Sequence, residues 1–188
     1  MRLFVAVPVT GAFREAIAGT IAAFPASDPP WRWTTPPSWH VTLMFLGERN
    51  PDDVAPICSS LATVSASFSP FTISTGPLHG FPSLSRPRVL VVGVGEGAGA
   101  LARLAARVQD ALCDAIGAAR DERPFHPHVT LARLRARIPR ELIAEIERAP
   151  RPVRACQHVQ SIGLIESHPG PSGARYAARK MFALGGGA

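Results

Sequence analysis

The amino-acid sequence predicts an α+β fold of two pseudo-symmetric lobes, each a mainly antiparallel sheet with helices on its outer face, set around a central cleft. Three observations carry this. Segments of strand and helix character alternate along the chain. The alternation falls into two rough halves, each running helix, short β-rich strand, helix, further strand. The strand in each half opens with the same four letters, His40-Val41-Thr42-Leu43 and His128-Val129-Thr130-Leu131.

The elements follow in order. Leu3 to Pro8 is a short apolar run met at once by polar residues. It reads as a buried first strand, since a signal segment needs a longer apolar stretch and a small-residue cleavage site. Phe13, Ile17, Ile21 and Phe24 recur at helical spacing over residues 11–24, with Thr10 as N-cap and Pro25 as stop. A Pro- and Trp-rich loop covers 26–39. Residues 40–46 are rich in β-formers and end at Gly47. Val54, Ile57, Cys58, Leu61 and Val64 mark a second helical face, and residues 71–75 and 88–94 read as strands. Leu101, Leu104, Val108, Leu112 and Ile116 form the stripe of a third helix. Residues 125–133 hold the second motif strand. Pro139 starts a short helix carrying Leu142, Ile143 and Ile146, and 153–165 and 176–184 are late strands.

A length of 188 residues suits one domain, and no long linker interrupts it. Residues 1–188 are therefore expected to form a single domain of two intertwined lobes, about 1–85 and 86–184, with a mobile tail at 185–188. Hydrophobic residues make up 46% and charged residues 18%, which excludes disorder of the whole chain. No stretch approaches the ~20 apolar residues of a membrane span, so no membrane partner is expected. The net charge of +6 favours polyanionic partners. Of the 20 basic residues only Lys180 is lysine, in a chain crowded with Ala, Gly and Pro, so the charge permits a nucleic-acid substrate without demonstrating one. Cys58, Cys113 and Cys156 lie far apart and read as reduced thiols, which suits a cytoplasmic protein.

The chemistry is concentrated in the repeated tetrapeptide. On a strand, residues i and i+2 share a face. His40 and Thr42 therefore point one way and Val41 and Leu43 the other, and His128 and Thr130 do the same in the second copy. Two such strands facing each other about a pseudo-two-fold axis give a cleft with two imidazoles and two hydroxyls. One neutral imidazole can take a proton from water and one imidazolium can protonate a leaving oxygen. The threonine hydroxyls can donate to non-bridging phosphate oxygens, where charge grows in the transition state. Neither a metal nor a cofactor is needed for such a displacement at phosphorus.

Other readings are weaker. His126-Pro127-His128 has a spacing that could ligate zinc, but the first motif has no matching second histidine and no carboxylate cluster accompanies it. Gly93-Val-Gly95-Glu-Gly-Ala98 fits a dinucleotide fingerprint formally, yet it lies mid-chain and the acidic residue expected ~20 positions on is missing, so a plain strand-to-helix turn is the better reading. Trp31, Trp33 and Trp39 read as core or lobe-packing residues. Arg133, Arg135, Arg137 and Arg140 form a basic run that serves either RNA phosphates or a solvated strand end.

The surrounding blocks carry a resemblance that runs nearly end to end. Two His-x-Thr-x motifs on strands resemble the signature of the two-histidine phosphoesterases. Within that superfamily the chain looks like the RNA 2′,3′-cyclic phosphodiesterases, also called 2′-5′ RNA ligases. The matching stretches are Arg2 to Pro8; Trp33 with His40 to Gly47; Gly80-Phe-Pro-Ser83 with Arg86 to Leu90; Arg123 to Arg133; and Ser167, Gly173 and Tyr176. The resemblance implies hydrolysis of an RNA 2′,3′-cyclic phosphate to a 2′-phosphate. His40 would be the proton donor and His128 the acceptor, with Thr42 and Thr130 holding the phosphate and Arg133 helping. The partner it implies is an RNA with a cyclic phosphate end, such as a tRNA fragment, acted on by a monomer without metal. Ligation in reverse, action on a small cyclic nucleotide, and a non-catalytic RNA-binding module remain open alternatives. Two points depart from a simple fit. Met44 stands where the family often has a polar residue, which is expected to weaken a substrate contact. Arg133 is three residues beyond Thr130, so strict alternation starts it on the face opposite the cleft.

Overall fold

The computed structural model describes residues 1–24, 31–134, 143, 144, 146, 148, 152–170 and 173–185. Nine strands and three helices alternate along them: β1 (Arg2–Pro8), α1 (Gly11–Ala22), β2 (Trp31–Trp33), β3 (His40–Glu48), α2 (Val54–Ala66), β4 (Phe71–Phe81), β5 (Val89–Val94), α3 (Ala98–Ile116), β6 (His128–Leu134), β7 (Cys156–Val159), β8 (Ser161–His168) and β9 (Arg175–Ala183). The strands run in the order β7-β4-β5-β6-β3-β1-β8-β9, with β2 added on β6. Every recorded pairing is antiparallel, which together with the three helices makes the fold α+β.

The two motif strands meet in the middle of this order. Their single pairing is Val41 with Val129, the same position of the two tetrapeptides. Beyond it β3 leaves β6, and the far end of β6 is taken up by β2. On either side of that junction stands a four-strand set, β3-β1-β8-β9 and β6-β5-β4-β7. The sets do not follow the chain: β4, from the first half, lies beside β5, and β8, from the second half, lies beside β1. The first half thus supplies one strand, β4, to the other set, and the second half supplies two, β8 and β9.

The apolar stripes explain the packing. Phe13 and Ile17 of α1, Ile57 and Leu61 of α2, and Leu101, Leu104, Val108 and Leu112 of α3 are fully buried in one core with Val41, Leu131 and Val129. Fully burying such a side chain stabilises the fold by ~1.5–3 kcal/mol. α1 contacts β4 and β7, while α2 packs on α3, β8 and β9. Trp31 and Trp39 are buried, and Trp33 is half-buried against Phe24. The Gly93–Ala98 segment is a strand-to-helix turn: the Gly95 amide donates to Ser74 O at 2.9 Å and the Glu96 amide to Ser74 Oγ at 2.9 Å. Gly97 there has φ +78, and a Cβ on it would collide with the Thr72 carbonyl oxygen, so glycine is required.

Element boundaries shift in places. β4 runs on to Phe81 instead of ending near residue 75, and the 153–165 segment is two strands, β7 and β8. The 26–39 loop contains β2 and a 3-10 turn over Pro36–Ser38. Ile146 is buried as expected of the short late helix; its proposed start, Pro139, and Leu142 lie outside the described residues, as do Pro25, Arg135, Arg137, Arg140 and the tail at 186–188.

Candidate active site

Each motif histidine is held in the same way. His40 Nδ1 lies 2.7 Å from the Ser38 carbonyl oxygen, and His128 Nδ1 lies 2.6 Å from that of His126. A carbonyl can only accept, so Nδ1 carries the proton and donates it. In the neutral ring Nε2 is then left as the free lone pair, and the i−2 carbonyl fixes both tautomer and ring plane. The antiparallel register of 41 with 129 sets position 40 beside 130 and 42 beside 128. Each imidazole therefore neighbours the threonine of the other motif. The structure brings His40, His128, Thr42 and Thr130 together, all half-buried, while Val41 and Val129 are fully buried.

Aromatic rings line the imidazoles. Phe4 lies 4.7 Å from His40 between ring centroids, and Tyr176 stands edge-on to it at 5.2 Å. Phe81 is 5.0 Å from His128. Burial makes the charged ring costly, and the pKa of His40 falls from an ordinary 6.5 to about 4. The bond to Ser38 offsets part of this; the positive charges of His128 and Arg133 add to it. His128 is lowered too, first by burial, then by Arg133 and His126, against the pull of the His126 carbonyl.

Arg133 faces the cleft in spite of its position. Along β6, Leu90 pairs with Ala132 and Val91 with Thr130, so Leu131 is an extra, bulged residue. The bulge resets the alternation and turns Arg133 onto the face of His128 and Thr130, which explains why its charge acts on both histidines. Thr34 grips the bulge: its amide donates to Leu131 O at 2.8 Å, and its hydroxyl lies 2.7 Å from Thr130 O and 2.9 Å from Leu131 O. The same defect recurs in β3, where Val5 pairs with Met44 and Ala6 with Thr42, leaving Leu43 bulged. There the residue turned outward is Phe45, 66% exposed. Met44 is packed into the core, 6% exposed, and also lines the larger cavity beside His128, so its apolar side chain borders the site instead of offering it a polar group.

Two cavities open at His128. The larger, about 1040 Å³, is bounded by Thr42, Phe45, Phe81, His126, Arg120 and Arg123, with α3 as one wall. The smaller, about 600 Å³, runs past His79, Phe81, Ser83, Gly93, His126 and His128. Arg120 and Arg123 are already paired, with Asp110 and Asp121. Among the described residues no third His, Cys, Asp or Glu joins His126 and His128 to make a metal-binding group. Phe4, Phe45, Phe81 and Tyr176 are the site residues that motif reasoning missed. Comparing the fifth position after each motif histidine would have drawn attention to Phe45.

Comparison with known proteins gives the same direction throughout. A family model described as the 2'-5' RNA ligase superfamily matches residues 13–171. The chain is 38% identical over 130 residues to an RNA 2',3'-cyclic phosphodiesterase of Geobacillus stearothermophilus, a match covering 69% of this chain and 41% of that protein. It is 33% identical over 156 residues to one of Aquifex aeolicus, covering 82% of each. It spans less than half the length of the first relative and about four-fifths of the second. Among solved structures, TT0787 of Thermus thermophilus superposes with a TM-score of 0.84 at 27% identity over 99% of both chains. E. coli LigT complexed with 3'-AMP superposes with a TM-score of 0.77 at 25% identity over 97% of both.

Proposed function

The chain belongs to the 2'-5' RNA ligase superfamily, and from that premise we propose that it hydrolyses the 2′,3′-cyclic phosphate at the end of an RNA to a 2′-phosphomonoester, without a metal. The observation that carries this is the pair of imidazoles, each tied through Nδ1 to the carbonyl two residues back and each beside the other motif's threonine.

His128 Nε2 takes a proton from water, whose oxygen attacks phosphorus. The bond from phosphorus to the 3′ oxygen breaks, and that oxygen takes the Nε2 proton of His40. Thr42 and Thr130 donate to the non-bridging oxygens, and Arg133 adds its charge. Before a substrate binds, His40, with a pKa of about 4, is neutral near pH 7. The anionic phosphodiester itself favours the imidazolium, since an opposite charge within a few ångströms raises a histidine's pKa. The exposed ring of Phe45 gives the nucleobase a flat apolar face. With a 5′-hydroxyl in the place of water, the same groups run the reverse joining of tRNA fragments in a 2′-5′ linkage. The four motif side chains all come from one chain, which suits a monomer, and the three free cysteines suit the cytoplasm.

The test is a short RNA ending in a 2′,3′-cyclic phosphate, incubated in EDTA near neutral pH, with the product resolved as 2′- or 3′-phosphate. A 2′-phosphate is expected, and His40→Ala and His128→Ala should each lower kcat by about 10²–10⁴-fold. Activity that needs an added divalent metal, or that survives loss of either histidine, would overturn the reading.

A further inference from the structure

Arg32 has no part in the chemistry above, yet its surroundings ask for a ligand. It lies in β2, paired directly with Arg133 on β6. Residues directly opposite on paired strands share a face. Arg32 therefore leaves the sheet on the face to which the Leu131 bulge turns Arg133, while the flanking Trp31 packs into the core. Like charges set opposite each other repel. Among the described residues no ion pair joins either guanidinium to a carboxylate.

The end of the Arg32 side chain is enclosed as well. Its Nη2 is buried and, among the described residues, has no hydrogen-bond partner. It rests against Gly173, between β8 and β9, where a Cβ would collide with Nη2. Arg32 thus reaches from the β6 side of the cleft to the hairpin whose Tyr176 stands on His40. A buried cationic nitrogen left without a partner is costly. An anion would satisfy it and relieve its repulsion from Arg133.

We propose that Arg32, beside Arg133, forms a second anion subsite that takes the phosphodiester on the 5′ side of the terminal nucleotide. The substrate is then a polynucleotide end in preference to a free cyclic mononucleotide. This rests on the phosphodiesterase reading: the cyclic phosphate occupies the histidines, and the next phosphate along the chain meets Arg32.

Three substrates test it: adenosine 2′,3′-cyclic phosphate, its 5′-phosphorylated form, and the dinucleotide ApA with a 2′,3′-cyclic phosphate. The readout is the ratio of kcat/KM for each 5′-phosphate-bearing substrate to that for the plain mononucleotide. The protein should favour both by about tenfold or more, the size of one charge-assisted hydrogen bond. Arg32→Gln should bring both ratios near one, and Arg32→Lys, which keeps the charge, should retain much of the preference. A ratio near one in the unaltered protein, or a ratio unchanged by Arg32→Gln, overturns the subsite. Turnover of none of the three substrates by the unaltered protein overturns the phosphodiesterase reading itself, a separate and distinguishable failure.

Discussion

The two motif strands are the same for four residues and differ on either side. Both histidines are anchored by a carbonyl two residues back, and both strands bulge at the motif leucine. Two residues before the histidine, however, stands Ser38 in one and His126 in the other; five residues after it stands Phe45 in one and Arg133 in the other. The Ser38 hydroxyl turns back to Thr35 O, while the His126 ring lines both cavities. One strand thus offers an aromatic environment and the other a cationic one. The backbone device repeats, and the asymmetry a substrate needs is written at the positions flanking it.

The sharpest way to break this comparison is to remove the unlike residues at the like position. Arg133→Ala should lower kcat by about 10²-fold, as the loss of a donor aimed at developing charge does. Phe45→Ala should leave kcat largely intact and raise KM several-fold, since stacking of a base is worth ~1–3 kcal/mol and serves ground and transition state alike. Steady-state kinetics on an RNA with a cyclic phosphate end would decide. If both variants changed kcat alone, the division into a charged and a stacking side would be wrong.

These two residues also mark where sequence reasoning stopped. The tetrapeptide pattern placed His40, Thr42, His128 and Thr130 on one face of their strands, and the helical spacing of apolar residues located α1, α2 and α3. Period-two alternation put Arg133 on the wrong face, because a bulge adds one residue without any change in the local hydrophobic pattern. Leu131 and Ala132 are both buried, as are Leu43 and Met44, and a pair of adjacent apolar residues reads equally well as a strand buried on both faces. The exchange of β4 for β8 and β9 between the strand sets was hidden for a different reason: each strand's own pattern says what it buries but not which neighbour it joins. β2 was lost in a Pro- and Trp-rich loop because three residues give no period to detect.

A smaller effect tests the bulge itself. Thr34 reaches it with both its amide and its hydroxyl, and that hydroxyl also accepts the Trp39 Nε1 hydrogen at 2.9 Å. Thr34→Val keeps the shape and the amide but removes the hydroxyl. It should cost about 1–3 kcal/mol of stability, for the buried indole donor left unpaired, and should lower kcat by about tenfold through a displaced Arg133. Activity lost through Arg133 cannot be lost twice. Thr34→Val combined with Arg133→Ala should therefore be no slower than Arg133→Ala alone. Fully additive losses would show that Thr34 acts elsewhere.

The finest distinction is between the two imidazoles as titrating groups. Burial makes both harder to protonate in the folded protein, so the unfolded chain binds more protons once the pH drops below the ordinary 6.5. Stability should then fall as the pH is lowered from 6.5 toward the His40 value of about 4, and hold above 6.5. Tyr176 makes ring contacts with His40 and Phe4, and among the described residues no ring contact joins it to His128 or Phe81. Tyr176→Ala should raise the His40 pKa while leaving it below 6.5, because Phe4, His128 and Arg133 remain around it. His128, packed on Phe81, serves as the internal control. Proton NMR titration of the two rings reads both at once. A rise confined to His40 would establish that the aromatic cover, and not the motif, makes the two histidines unequal acids; equal movement of both rings would place the inequality in the charges they share.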